Sequence, residues 1–214
     1  VDRTTLGQRV AASLRRGILR GDIPAGEVLS ENEVASILGV SRGPVREALR
    51  ELVEEGLLEA EARGPHIVTE LSMQRVREIW ALALMLQALS FRFALPHASE
   101  SHFMELQELV FKMRAAAQAG DTEQLADLDA EFHEYIFTLT NAPLIVKSWE
   151  RIRSQVWMVC HRFIGQLYPD LNQEVDLHQQ YLESLKSGDP NLSTRFVVDH
   201  FESMERKMLQ IPDS

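Results

Sequence analysis

The sequence predicts a mainly α chain: three helices and a small β-hairpin, followed by an all-α antiparallel bundle of six or seven helices. Three observations carry that prediction. Leu6, Val10, Leu14 and Ile18 recur every four residues on one helical face. Two short apolar runs, Leu57–Glu61 and His66–Thr69, flank Arg63-Gly64-Pro65 and read as a hairpin. From Ser72 to the end the apolar spacing stays helical, with no further strand signal.

Gly21 and the Ile23-Pro24-Ala25-Gly26 stretch end the first helix. Ser30-Glu31-Asn32-Glu33 has the form of a capping box and opens a second helix through Val34, Ile37 and Leu38, which Gly39 stops. Ser41 caps a third, with Pro44 tolerated in its first turn and Val45, Ala48, Leu49 and Leu52 facing inward up to Gly56. Beyond a linker at 71–75, helices are expected near 72–95, 99–119, 121–140, 142–167, 173–187 and 189–209, with Gly120-Asp121 and Gly188-Asp189 as breaks. The domains are therefore expected at 1–70 and 76–214.

One cysteine, Cys160, rules out an intrachain disulfide and suits a reducing cytoplasm. The longest unbroken apolar run, Ile79–Leu86, is short of the ~18 residues that span a bilayer, so no membrane partner is expected. The net charge is −10, and residues 1–70 hold nine Arg against twelve Asp or Glu. Nucleic-acid binding through an overall basic domain is excluded; only a local cationic face could do it.

Such a face exists. The short turn Leu38-Gly39-Val40-Ser41 joins two helices as a helix-turn-helix requires, and the hairpin supplies a wing. Arg42, Arg46 and Arg50 stand four apart, opposite Val45, Leu49 and Leu52. An Arg fork can bond a guanine edge or clamp a phosphate. Ser41, Arg42 and Gly43 lie at a helix N-terminus, where backbone amides favour phosphate. The alternative is a solvated face with Arg46 paired locally to Glu47 or Glu51.

The segment GDIPAGEVLSENEVASILGVSRGPVREALRELVEEGLLEAEARG resembles the winged helix of the GntR superfamily over residues 5–70. The resemblance implies that Arg42 and Arg46 contact bases or phosphates. It implies that Ser41 and Arg50 support the backbone contacts, and that the Gly64 wing, with His66 beside it, enters the minor groove. Gly43 stands where the family usually has Thr, which removes one hydroxyl contact.

In the C-terminal half, Asp129 and His133 are four apart beside the stripe Leu125, Leu128, Phe132 and Ile136. His178 is in register with Val175, Leu182 and Leu185, and His200 with Phe196, Val197 and Met204. Imidazoles facing one interior can hold a metal. Spacing alone leaves open three unrelated buried histidines. The motifs DLDAEFHEYIFTLTNAP, DLHQQYLESLKSGD and VVDHFESM resemble the FCD ligand-binding domain of the FadR-type branch over residues 76–209. That resemblance implies one divalent ion held by Asp129, His133, His178 and His200, zinc first, then nickel or manganese. It implies a transcription regulator, a repressor in the first instance, that senses a small polar or organic-acid effector.

Ala83 stands where the family carries a carboxylate-gripping Arg, and Gln87 where an acid is common. Arg153 could replace the lost Arg, in an effector pocket bordered by Trp149, Trp157 and Tyr135. The first C-terminal helix is apolar around much of its circumference, through Ile79, Trp80, Leu82, Leu84, Met85, Leu86 and Leu89. A second copy covering it gives a homodimer, which suits a short inverted repeat in double-stranded operator DNA. A metal-dependent hydrolase would need a general base beside the ion, and Glu131 and Glu134 point away from the Asp129–His133 side. No enzyme is expected. A purely structural metal is the other alternative.

Overall fold

The computed structural model describes residues 4–60 and 65–211. They form two compact units: the described residues up to Ser72 together with Arg151–Met158, and Met73–Glu150 together with Val159 onward.

The first unit contains α1 (Leu6–Leu19), β1 (Val28–Leu29), α2 (Glu31–Leu38), α3 (Arg42–Glu54), β2 (Leu58–Ala60) and β3 (His66–Val68). Thr5 and Gln8 close a capping box on α1, with Thr5 accepting from the Gln8 amide at 3.1 Å. Ser30 caps α2 by accepting from the Glu33 amide. Gly39 ends α2 at φ 65°, a left-handed turn that a side chain would strain. Ser41 occupies the N-cap position of α3, but its hydroxyl makes no capping bond. α1 lies across α3, and a Cβ on Gly7 would come 2.8 Å from a Glu47 carboxylate oxygen, so a larger residue there would make the Glu47 side chain shift. Val45, Ala48, Leu49 and Leu52 are completely buried beneath it. The expected hairpin is part of a three-stranded antiparallel sheet, in the order β1-β3-β2, with Val28 paired to Ile67 and Leu58 to Val68.

Arg15 on α1 donates to both Glu51 and Glu55, at the end of α3, and Glu55 also accepts from Ser154 at 2.7 Å. Arg15 and Glu55 are largely shielded, at 19% and 13% exposed, while Glu51 is 42% exposed. Charge-assisted bonds in such a setting contribute about 1.5–3 kcal/mol each. Arg15→Ala should therefore lower the stability of this unit by roughly 2 kcal/mol. A urea midpoint equal to the parent's would show that the network contributes nothing.

The second unit comprises α4 (Met73–Ala94), α5 (Glu100–Ala119), α6 (Thr122–Thr138), α7 (Pro143–Glu150), α9 (Asn172–Lys186), α10 (Pro190–Met208) and the C-terminal part of α8 (Arg153–Leu167). The expected helix at 142–167 is thus two helices. A short 3-10 turn, Leu95–His97, follows α4. Asp121 and Asp189 cap α6 and α10 through their side chains, as expected. α4 packs on α10 and α6, while α5 packs on α6 and α9. The core holds Phe91, Leu106, Phe132, Phe137, Trp149, Phe163, Tyr181 and Val197. An 18-residue window in Met73–His97 has a mean hydropathy of 1.5, long and apolar enough to cross a bilayer. Counting only unbroken apolar runs misses this window. Its inner face is nonetheless that of a packed core helix: the Trp80 indole donates to the Phe201 carbonyl of α10 at 3.0 Å, and Gln87 and Ser90 are buried.

Candidate DNA-reading face and metal centre

The exposed, arginine-bearing face of α3 forms because its buried and exposed residues separate by helical phase. Ser41, Arg42, Gly43, Arg46 and Arg50 are all exposed, opposite the buried Val45–Leu52 stripe. Arg46 is not paired to Glu47 or Glu51. It forks onto Glu31, at the start of α2, with Nε 2.8 Å from one carboxylate oxygen and Nη2 2.9 Å from the other. Arg42 joins the same carboxylate at 3.2 Å. Hydrogen bonding from Arg46 holds the Glu31 carboxyl down to about 2. The clamp is complete above the ordinary carboxylate range and is lost only as pH falls through about 2. Gly43 has open space around it. His66 sits on β3, opposite Leu29 and Ala60. Gly64 lies outside the described residues.

In the helical unit, α6 and α9 bring Asp129, His133 and His178 together, each buried, with one ligand atom apiece within 4.8 Å of the others. His178 Nε2 is 2.9 Å from Asp129 Oδ1, and His133 Nε2 is 3.6 Å from the same oxygen. At 2.9 Å the Asp129 carboxylate stabilises the protonated His178 ring. His178 Nδ1 is 2.9 Å from the Glu174 carbonyl oxygen, which can only accept, so Nδ1 carries a proton and Nε2 is the nitrogen that would ligate once an ion displaces its own proton. His200 arrives from α10, its ring 6.3 Å from His178 and 5.1 Å from Tyr181. Nδ1 of His133 and of His200 have no hydrogen-bond partner. Phe132 and Phe201 close the sides of the cluster edge-on.

Burial pushes His133 down to about 4 and His200 well below its ordinary value, so both imidazoles are neutral and able to ligate. Burial also works against charge on His178, but Asp129 and Glu174 outweigh it and raise His178 to about 9. Burial would raise Asp129, yet the surrounding imidazoles hold its carboxyl well below the usual range. A carboxylate in contact with His178, beside two neutral imidazoles with orphaned nitrogens, is a donor set that fits a divalent cation.

Trp149 stacks on Phe137 at 4.4 Å, Arg153 lies over Trp157, and Tyr135 meets His102 edge-on beside Glu105. Burial pushes the Cys160 thiol up, which makes it an inert core group. Sequence reasoning missed two residues. Glu31, the partner of both arginines, lies a helix away. Glu174 is fully buried one turn before His178, and the spacing 174–178–181 that places it on that face was there to read.

A DNA-reading helix-turn-helix followed by a helical unit with a buried imidazole–carboxylate cluster defines a two-part bacterial transcription regulator. The chain belongs to the gntR family of bacterial regulatory proteins, matched over residues 6–68, and carries an FCD domain over residues 78–203. It is 27% identical to the gluconate operon transcriptional repressor of Bacillus licheniformis, over 97% of this chain and 87% of that one. It is 26% identical to the probable D-xylose utilization operon transcriptional repressor of Paenarthrobacter nicotinovorans, over 92% and 86%. The fold matches E. coli McbR/YncC with a TM-score of 0.81 at 24% identity, covering 96% of both chains. The chain is accordingly a DNA-binding regulator and not an enzyme.

Proposed function

We propose that this chain is a cytoplasmic, metabolite-responsive repressor that binds a short inverted repeat as a homodimer. Its helical domain would hold one divalent ion through Asp129, His133, His178 and His200. The observation that carries this reading is the buried Asp129–His133–His178 cluster, with its ligand atoms converging, in a chain that also presents Arg42 and Arg46 to solvent. Bound there, the ion would supply a Lewis-acidic point for oxygen donors of an effector. The related repressors named for gluconate and D-xylose utilization make sugar-derived molecules the first effectors to try. Binding selection from a random duplex library by the metal-loaded protein tests the whole reading. It should enrich a palindrome with half-sites about one helical turn apart. Enrichment of no site, or of an asymmetric one, would sink it.

The dimer reading rests on the outer face of α4. Leu82, Met85, Leu89 and Phe93 follow one helical stripe and are 54%, 61%, 39% and 46% exposed. A stripe of that kind is normally covered. Leu89→Glu should convert a dimer to a monomer in sedimentation, with operator affinity falling by at least an order of magnitude because half-sites then bind singly. A variant that still sediments as a dimer would place the interface elsewhere.

A further inference from the structure

Glu174 lies one turn before His178 on α9 and is 0% exposed. One of its carboxylate oxygens is 3.4 Å from His178 Nδ1, the ring nitrogen that does not face Asp129. The hydroxyl of Tyr168, the residue just beyond α8, donates to the same carboxylate, and Tyr168 is buried as well. The Lys207 ammonium of α10 lies 4.2 Å from the centre of the Tyr168 ring, a cation–π contact that steadies the phenol. Lys207, Tyr168, Glu174 and His178 thus form one chain of contacts from α10 to the cluster. Glu174 itself is not among the converging ligand atoms, which belong to Asp129, His133 and His178.

A histidine that ligates through Nε2 is oriented by the group its Nδ1–H faces, and a carboxylate there makes the imidazole a stronger donor. His178 Nδ1 meets two acceptors from one residue, the Glu174 carbonyl at 2.9 Å and the Glu174 carboxylate at 3.4 Å. Charge gives Glu174 a second task. A divalent ion held by one carboxylate and neutral imidazoles keeps one positive charge in a dry interior, which is costly unless it is compensated. Glu174 supplies that negative charge, and among the described residues no Lys or Arg is buried that would cancel it. We propose that Glu174, anchored by Tyr168, is the positioning and charge-balancing carboxylate of the metal centre, acting through His178 without ligating the ion. This rests on the reading of the Asp–His cluster as a metal site.

The test measures zinc affinity of the full, metal-stripped chain by competition with a chelator at fixed pH, and records the visible spectrum of the cobalt-loaded protein. Glu174→Gln keeps the shape and removes the charge, and it should raise the zinc Kd about 10- to 100-fold. Tyr168→Phe removes only the anchor. It should weaken zinc in the same direction and by less, and it carries the test alone if Glu174→Gln does not fold. Both variants should keep the parent's cobalt band positions, because the ligands to the ion are unchanged. A carboxyl that merely packs would lower the metal-free Tm and leave the zinc Kd of the folded chain alone. A parental zinc Kd in Glu174→Gln, or in Tyr168→Phe where that variant stands alone, therefore overturns the inference. Cobalt bands that shift in Glu174→Gln overturn it equally, since Glu174 would then be a ligand. A parent that takes up neither zinc nor cobalt is a different failure: it sinks the metal reading itself, and this inference with it.

Discussion

Protein stripped of metal is expected to gain roughly 10 °C in Tm when zinc is added well above its dissociation constant. An ion that binds only the folded state at a thousand times its Kd stabilises by about 4 kcal/mol, and a chain of this size gains about 2–4 °C per kcal/mol. The gain should vanish in Asp129→Ala and His178→Ala, because those residues bring the converging donors at 2.9 Å. His133→Ala should reduce it strongly. Nickel and manganese, run beside zinc, rank the site's preference. The sign with pH follows from His178. Raised to about 9 when metal-free, its proton competes with the ion, so zinc affinity should fall steadily as pH drops below about 9. Without metal, the same raised value means the His178–Asp129 contact stabilises fully below pH ~6.5 and is lost as pH rises through about 9. Elemental analysis of protein purified without added metal gives the occupancy directly. A metal-free chain whose Tm ignores all three ions would falsify the site. If zinc raises Tm but no effector changes operator affinity, the ion is structural.

The two ends of this protein were not equally legible. The helix-turn-helix could be read because its signals are local: Ser30 with Glu33, a left-handed glycine at 39, and an apolar stripe on α3 that is completely buried. Of the proposed metal set, the meeting of Asp129, His133 and His178 was only half legible: Asp129 and His133 lie one turn apart, but spacing alone left unrelated buried histidines open, and the resemblance to the FCD domain is what implied the full set with His200. What escaped was tertiary. β1 is two residues long, Val28–Leu29, too short to show an alternation, and exists only because β3 offers it a partner edge. The break between α7 and α8 carries neither Gly nor Pro, so no local signal marks it. Arg46 was expected to pair within its own helix if it paired at all; its partner is fifteen residues away. Tyr135 and Trp149 share helices with the metal set or flank them. Their rings turn instead to His102 and Phe137, a choice of helix face that neighbouring helices make.

That misplaced partner changes what Arg46→Ala should do. Glu31 engages Nε and Nη2 of the guanidinium, and Nη1 keeps two N–H groups that can reach a base edge. Held this way, Arg46 is pre-oriented and loses little freedom on docking. Arg46→Ala should therefore cost about 1–3 kcal/mol on the selected duplex, or roughly 5- to 150-fold in Kd, with much less effect on a scrambled one. Glu31→Ala should act in the opposite sense on non-specific binding. Removing a carboxylate beside the phosphates raises affinity for scrambled duplex, while the freed arginines lose orientation and the preference for the selected site shrinks. A phosphate role for Arg46 predicts a different pattern. The mutant would weaken on both duplexes alike, and its log Kd–log salt slope would fall by about 0.9. Fluorescence anisotropy at several salt concentrations, with both variants on both duplexes, separates these outcomes. Equal binding of Arg46→Ala and parent to the selected duplex would remove α3 from the operator interface altogether.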